Sequence, residues 1–203
     1  MTVPARTPIR KDAIATRERL VRAALELFTT TGYRGTTTLD LAARAETAEA
    51  TIYRHFAGKE ALFNEAYRHA LKWGLGVIRP ADGVRVPTKE RLARIARRLA
   101  EQVPKDAAIV LMMLRRPDGP SLEDQTHLLA RDLREHLTQL VATGKQEGAV
   151  RPGSAELWAA IWLAVVAFAV ERIAAREWTP DHPSAASTLE AAWDAISARP
   201  IPG

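Results

Sequence analysis

No cysteine occurs in the 203 residues, which removes disulfides, thiolate metal sites and a cysteine nucleophile at once. Other marks of catalysis are missing too. The five histidines, at 55, 69, 127, 136 and 182, stand in no His-Glu-x-x-His spacing, and no serine lies in Gly-x-Ser-x-Gly. Gly74-Leu75-Gly76 begins like a dinucleotide fingerprint but lacks the third glycine, the preceding strand and the following helix. Glu123, Asp124, Asp132 and Glu135 sit among arginines as on a solvated helix face. These absences predict no enzyme, no metal site and no cofactor. The N-terminal stretch MTVPARTPIRKDAIATRERL has no apolar core of signal-peptide length, which predicts a chain that is not secreted. The longest apolar run, residues 157–170, has fourteen side chains, fewer than the ~20 a spanning helix needs. It predicts a soluble helix buried all round, no membrane contact and a cytoplasmic protein.

The chain does contain helix periods, with almost no strand signal, no internal repeat and no low-complexity segment. Apolar residues recur at spacings of three and four over 12–30 (Ile14, Leu20, Val21, Ala24, Leu27, Phe28), and Gly32 ends that helix. Two short helices follow, then long ones over 59–77 and 89–102, the latter closed by Pro104, a short one over 105–114, and further helices over 121–145, 154–176 and 183–198. The fold class is therefore all-α, with about nine helices. Gly74 and Gly76 predict either a weak, bending end to the fourth helix or close packing of a neighbour. Net charge is +5; ten Lys or Arg against seven Asp or Glu in residues 1–60 carry +3 of it. That excess directs a positive field toward a polyanion from the N-terminal part.

The stretch TTLDLAARAETAEATIYRHF, 37–56, followed by Ala57-Gly58-Lys59-Glu60, is the most informative. Thr37 with Asp40 three residues on forms a capping-box pattern that starts a short helix burying Leu41, Ala42 and Ala45. Residues 46–49 lack helix-period apolar spacing and make a turn. A second short helix then buries Ile52 and Phe56, leaving Glu49, Ala50, Thr51, Tyr53, Arg54 and His55 exposed. Small, aromatic and cationic groups of this kind lie against phosphates and base edges in a major groove.

In these residues the chain resembles the TetR/AcrR family of transcriptional regulators. Thr36-Thr37-Thr38, Leu41-Ala42, Tyr53-Arg54-His55-Phe56 and Lys59-Glu60 stand in that family's order, and so do Thr16-Arg17, Ala23-Ala24, Leu27-Phe28 and Gly32-Tyr33 upstream. Two positions depart from the pattern: Glu46 replaces the turn glycine, and Ala48 replaces the serine that caps the reading helix. Each costs on the order of 1 kcal/mol in turn stability. The resemblance implies an N-terminal three-helix helix-turn-helix DNA-binding domain with an arm, residues 1–58, and a C-terminal ligand-binding and dimerisation domain, 59–203. Tyr53, His55 and Lys59 would anchor phosphates of a double-stranded operator, with Thr38, Glu49, Ala50, Thr51 and Arg54 near backbone or base edges. Arg6, Arg10 and Lys11 lie outside a helical pattern and predict a disordered arm that reaches an adjacent minor groove.

A helix apolar on every face needs covering on every face, so 154–176 and 183–198 predict a homodimer; the small Ala159, Ala160, Ala164 and Ala167 and the large Trp158, Trp162, Phe168 and Trp193 suit close packing. The resemblance implies the same pairing, as an intersubunit four-helix bundle. Met112, Met113, Trp158 and Trp162 are candidate linings for an apolar or aromatic small-molecule effector, or plain core. The function expected is that of a ligand-responsive repressor released from a palindromic operator. The alternative is a helical small-molecule-binding or protein-interaction module without DNA activity.

Overall fold

A computed structural model describes residues 8–81, 86–114 and 119–198 of the chain. Among them run ten α-helices: α1 (Pro8–Thr30), α2 (Gly32–Gly35), α3 (Thr38–Arg44), α4 (Glu49–His55), α5 (Lys59–Ile78), α6 (Thr88–Gln102), α7 (Ala107–Leu114), α8 (Asp124–Gln146), α9 (Ala155–Ala174) and α10 (Pro183–Asp194). A 3-10 turn, Arg79–Ala81, follows α5. The one extended pairing among the described residues is a bridge between Val150 and Ser197. The all-α class agrees with the periodicity, and the extra helix is the single turn α2. Gly32, at φ +81, stops α1 and starts that turn.

Local chemistry accounts for the short helices. The Thr37 hydroxyl accepts from the Asp40 amide while the Asp40 carboxylate accepts from the Thr37 amide, the predicted capping box. The Thr37 hydroxyl, which donates to the Asp40 carboxylate at 2.6 Å, and the Thr37 amide, which donates at 2.8 Å, hold the Asp40 carboxyl below the usual range. Glu46 takes the left-handed φ of 52° that the missing glycine would have taken, and Ala48 caps α4 without any side-chain hydrogen bond.

Helix α5 is the shared wall of the molecule. On one side it packs against α1, on the other against α7 and α8. Phe28, Tyr33, Phe63 and Tyr67 make a ring cluster with centroids 5.2 to 6.2 Å apart, joining α1 and α2 to α5 through edge and tilted contacts. Leu71, Leu92, Leu99, Met112, Leu140 and Trp162 continue the core away from it. Helix α5 runs through Gly74 and Gly76 to Ile78 without a break. The two glycines differ: a Cβ on Gly74 would lie 2.3 Å from Met113 Sδ, whereas one on Gly76 would meet nothing within 4 Å.

Several boundaries move for identifiable reasons. Helix α1 begins at Pro8 rather than residue 12, so the backbone of Arg10 and Lys11 is helical; residues 2–7 of the expected arm lie outside the described residues. Ile14 is half-exposed rather than core, because α1 extends past the elements it packs on. Helix α8 starts at Asp124, since the Glu123 amide donates to the Asn64 side chain instead. Helix α9 ends at Ala174 and Arg176 is left-handed, at φ 61°. Helix α10 ends at Asp194, and Ser197 and Ala198 pair with the backbone around Val150. Within one chain α9 is not covered all round: Ala159, Trp162, Val166, Ala169, Val170 and Ile173 form a buried stripe, while Leu157, Ala160, Ala164 and Phe168 are exposed.

Candidate nucleic-acid interface

Helices α3 and α4 are joined by a turn tied back through the Glu46 amide to the Ala43 carbonyl and the Thr47 amide to the Ala42 carbonyl. Ala42, 2% exposed, allows the close crossing. With seven residues, α4 has room for one inner and one outer face. Thr51, Ile52 and Phe56 are buried and His55 is half-buried, so the inner face is the stripe 51, 52, 55 and 56. Glu49, Ala50, Tyr53 and Arg54 are the exposed outer stripe.

Thr51 therefore departs from expectation. It is 4% exposed, and its hydroxyl accepts from Arg54 Nη2 at 2.8 Å. It lies one helical step from Ile52 on the face that meets α3, and the inner stripe is wider than Ile52 and Phe56 alone suggest. Thr38 is half-exposed at the start of α3, and its hydroxyl donates to the Glu49 carboxylate at the start of α4. Lys59 is half-buried: Nζ donates to the carbonyls of Tyr33 at 3.0 Å and Thr36 at 2.8 Å, and it sits 4.2 Å over the Tyr33 ring. Two of its three ammonium donors are thus used in closing the C-terminal end of α2, leaving one. Tyr53 stands out, at 59% exposed.

Sequence reasoning missed the Thr38–Glu49 bond and Leu39, an exposed leucine beside Thr38. An exposed leucine in a short helix is legible only once the buried face is known. It also missed the ionic joints under the interface. Arg17 lies over the Phe56 ring at 5.0 Å and pairs with Glu65 at 2.9 Å. Glu65 pairs with Arg68, which reaches Glu123 at 2.7 Å and the Thr126 hydroxyl at 3.0 Å. Arg22 meets Asp106, whose other oxygen accepts from the Ile109 amide at 3.1 Å. Buried Asn64 donates to the Glu60 and Ser121 carbonyls. Burial lifts the Glu65 carboxyl, but the bonds from Arg68 and Arg17 and their charge outweigh it and hold the group below the ordinary range. These joints run α1 to α5 to α8, and α1 to the start of α7.

The four candidate effector-lining residues do not share one cavity. Trp162 floors a cleft of about 750 Å³ between α6, α9 and α10, with Ala100, Leu189 and Trp193 nearby. Met112 and Met113 are buried core of α7, the latter packed on Gly74. Trp158 is half-buried, with its indole N–H donating to the Pro152 carbonyl at 3.1 Å and the Arg151 guanidinium 5.2 Å from its ring. Among the described residues no cluster of His, Asp or Glu has metal-binding geometry.

Residues 20–66, which include α3, α4 and the start of α5, match the profile of bacterial regulatory proteins of the tetR family. The HTH-type transcriptional regulator TcmR of Streptomyces glaucescens is 28% identical over 176 residues, 80% of this chain and 73% of that protein. YvkB of Bacillus subtilis, also an HTH-type transcriptional regulator, is 45% identical over 47 residues, which span 23% of this chain and 25% of YvkB. A TetR family transcription regulator from Marinobacter aquaeolei VT8 has the same fold, with a TM-score of 0.73 at 17% identity over 94% of this chain and all of that one. The capped α3, the tied turn and the exposed outer stripe of α4 all lie within the matched segment, so residues 20–66 are similar to the tetR-type helix-turn-helix of bacterial regulatory proteins, and both relatives are transcriptional regulators.

Proposed function

We propose that this chain is a cytoplasmic, ligand-responsive transcriptional repressor that binds a palindromic double-stranded DNA operator as a homodimer and leaves it when a small-molecule effector binds. The observation that carries the reading is the outer stripe of α4, where Glu49, Ala50, Tyr53 and Arg54 are exposed on a helix held firmly from behind. Tyr53, the half-buried His55 and the remaining donor of Lys59 contact phosphates, and Glu49, Ala50 and Arg54 of the outer stripe, with Thr38, lie at the base edges. Residues 1–58 form the reading head and 59–203 the regulatory part.

Dimerisation uses α9 and α10. Leu157, Ala160, Ile161, Ala164 and Phe168 recur at helical spacing on the side of α9 opposite its buried stripe, and a second copy would cover them by two-fold symmetry. The effector is apolar or aromatic. It binds the non-DNA state better and shifts α5, which changes the spacing of the two reading heads.

A mobility-shift titration with DNA from around its own gene, repeated across a salt series, tests this. Retarded complexes that weaken steeply with salt are expected, with Tyr53→Ala weakening them at ~150 mM salt. Absence of a complex at low salt would leave a helical ligand-binding or interaction module without DNA activity.

A further inference from the structure

The Thr38–Glu49 bond places a carboxylate where DNA-binding surfaces seldom keep one. Against phosphates alone, an acidic side chain on the outer stripe of α4 is repulsive. Glu49 is nonetheless exposed and held, because the Thr38 hydroxyl donates to its Oε1 across the turn. That bond leaves Oε2 without a partner among the described residues and fixes the direction in which the group points. Thr38 itself is not free to donate to a phosphate while this bond stands.

On the strength of the DNA-binding reading, we propose that Glu49, oriented by Thr38, is a specificity-determining residue that reads a cytosine through its exocyclic N4 amino group in the major groove. The chemistry discriminates among the four bases. A carboxylate only accepts, and cytosine presents an N4 donor there. Adenine presents an N6 donor beside the N7 acceptor, which would face the second carboxylate oxygen; guanine and thymine present acceptors. Glu49 therefore favours C and rejects the others by unpaired or opposed lone pairs. Thr38 is a positioning residue, since it limits the rotamers of Glu49 before DNA arrives.

Selection of binding sites from a random duplex pool by the full-length protein, read by sequencing, tests the assignment. The wild-type protein enriches a two-fold-related site with one C in each half whose replacement lowers affinity about tenfold or more. Glu49→Ala loses the preference at that position while keeping the rest of the site. Glu49→Gln moves it from C to A, because an amide offers one donor and one acceptor. Thr38→Val, with helix content unchanged by circular dichroism, broadens it. If Glu49→Ala and Glu49→Gln enrich the same base as wild type at every position, the proposal is wrong while the DNA-binding reading stands. A wild-type pool in which no sequence is enriched would overturn both.

Discussion

At the scale of single residues, identical residue types do different work according to what faces them. Gly74 is where α5 meets α7 and α8: an added Cβ would lie 2.3 Å from Met113 Sδ and 2.8 Å from Leu133 Cδ1. Gly76, two residues on and so on the opposite side of the helix, is exposed and faces open space. Gly74→Ala should therefore destabilise by roughly 1–3 kcal/mol through overpacking, whereas Gly76→Ala should stabilise by up to ~1 kcal/mol through helix propensity. Urea unfolding of both variants checks this, and equal shifts of the same sign would refute the division. Thr51 teaches the same lesson. Its spacing from Ile52 suits either face of a short helix, and only the crossing with α3 assigns it to the inner one.

At the scale of elements, the connection between α1, α5 and α8 is ionic and depends on pH. Glu65, between Arg17 and Arg68, has a carboxyl held below its ordinary value, which is ~4.3 in an unfolded chain. A depressed carboxyl adds stability that is fully present above the unfolded value and is lost as pH falls through the folded one. The stability gap between wild type and Glu65→Gln should therefore be widest near neutral pH and shrink steadily below about pH 5. Parallel unfolding curves measured over that range check it; a gap that stays constant with pH would show that the ion pairs contribute nothing. Asp40 is also depressed, by its bonds from Thr37, and so is Glu147, where burial lifts the carboxyl but the bonds from Thr88 and the charge and bond of Arg91 outweigh it. The comparison with Glu65→Gln cancels their share.

For the whole molecule, the decisive element is α9. It is long and apolar enough to cross a membrane by length and composition, yet its buried stripe packs into α6, α7, α8 and α10. The opposite side, with Leu157 and Phe168 each about half exposed, is an apolar surface on a polar molecule. Ala164 is exposed there, so Ala164→Glu leaves the fold of one chain intact while placing an unpaired charge in the proposed dimer interface. The expected result is a folded monomer by light scattering and circular dichroism that no longer binds operator DNA. A variant that remains dimeric would move the interface elsewhere, and a wild-type protein that is monomeric at micromolar concentration would end the dimer proposal.

Helix class, the capping box at Thr37 and the tied turn follow from residues within a few positions of one another, so they were legible from local spacing alone. The left-handed Glu46 and the uncapped Ala48 were legible only through the family resemblance, where they stand in place of a turn glycine and a capping serine; their cost is local, because backbone sterics and capping act over a single turn. The start of α8, the C-terminal end of α10, the burial of Thr51 and the partners of Lys59 depend on groups far along the chain. Asn64 resets the first, Val150 the second, α3 the third, and Tyr33 and Thr36 the fourth. Periodicity identifies an apolar helix such as α9, because side-chain direction repeats along one axis. Which of its faces is covered within the chain is a property of its neighbours, and packing alone decided it.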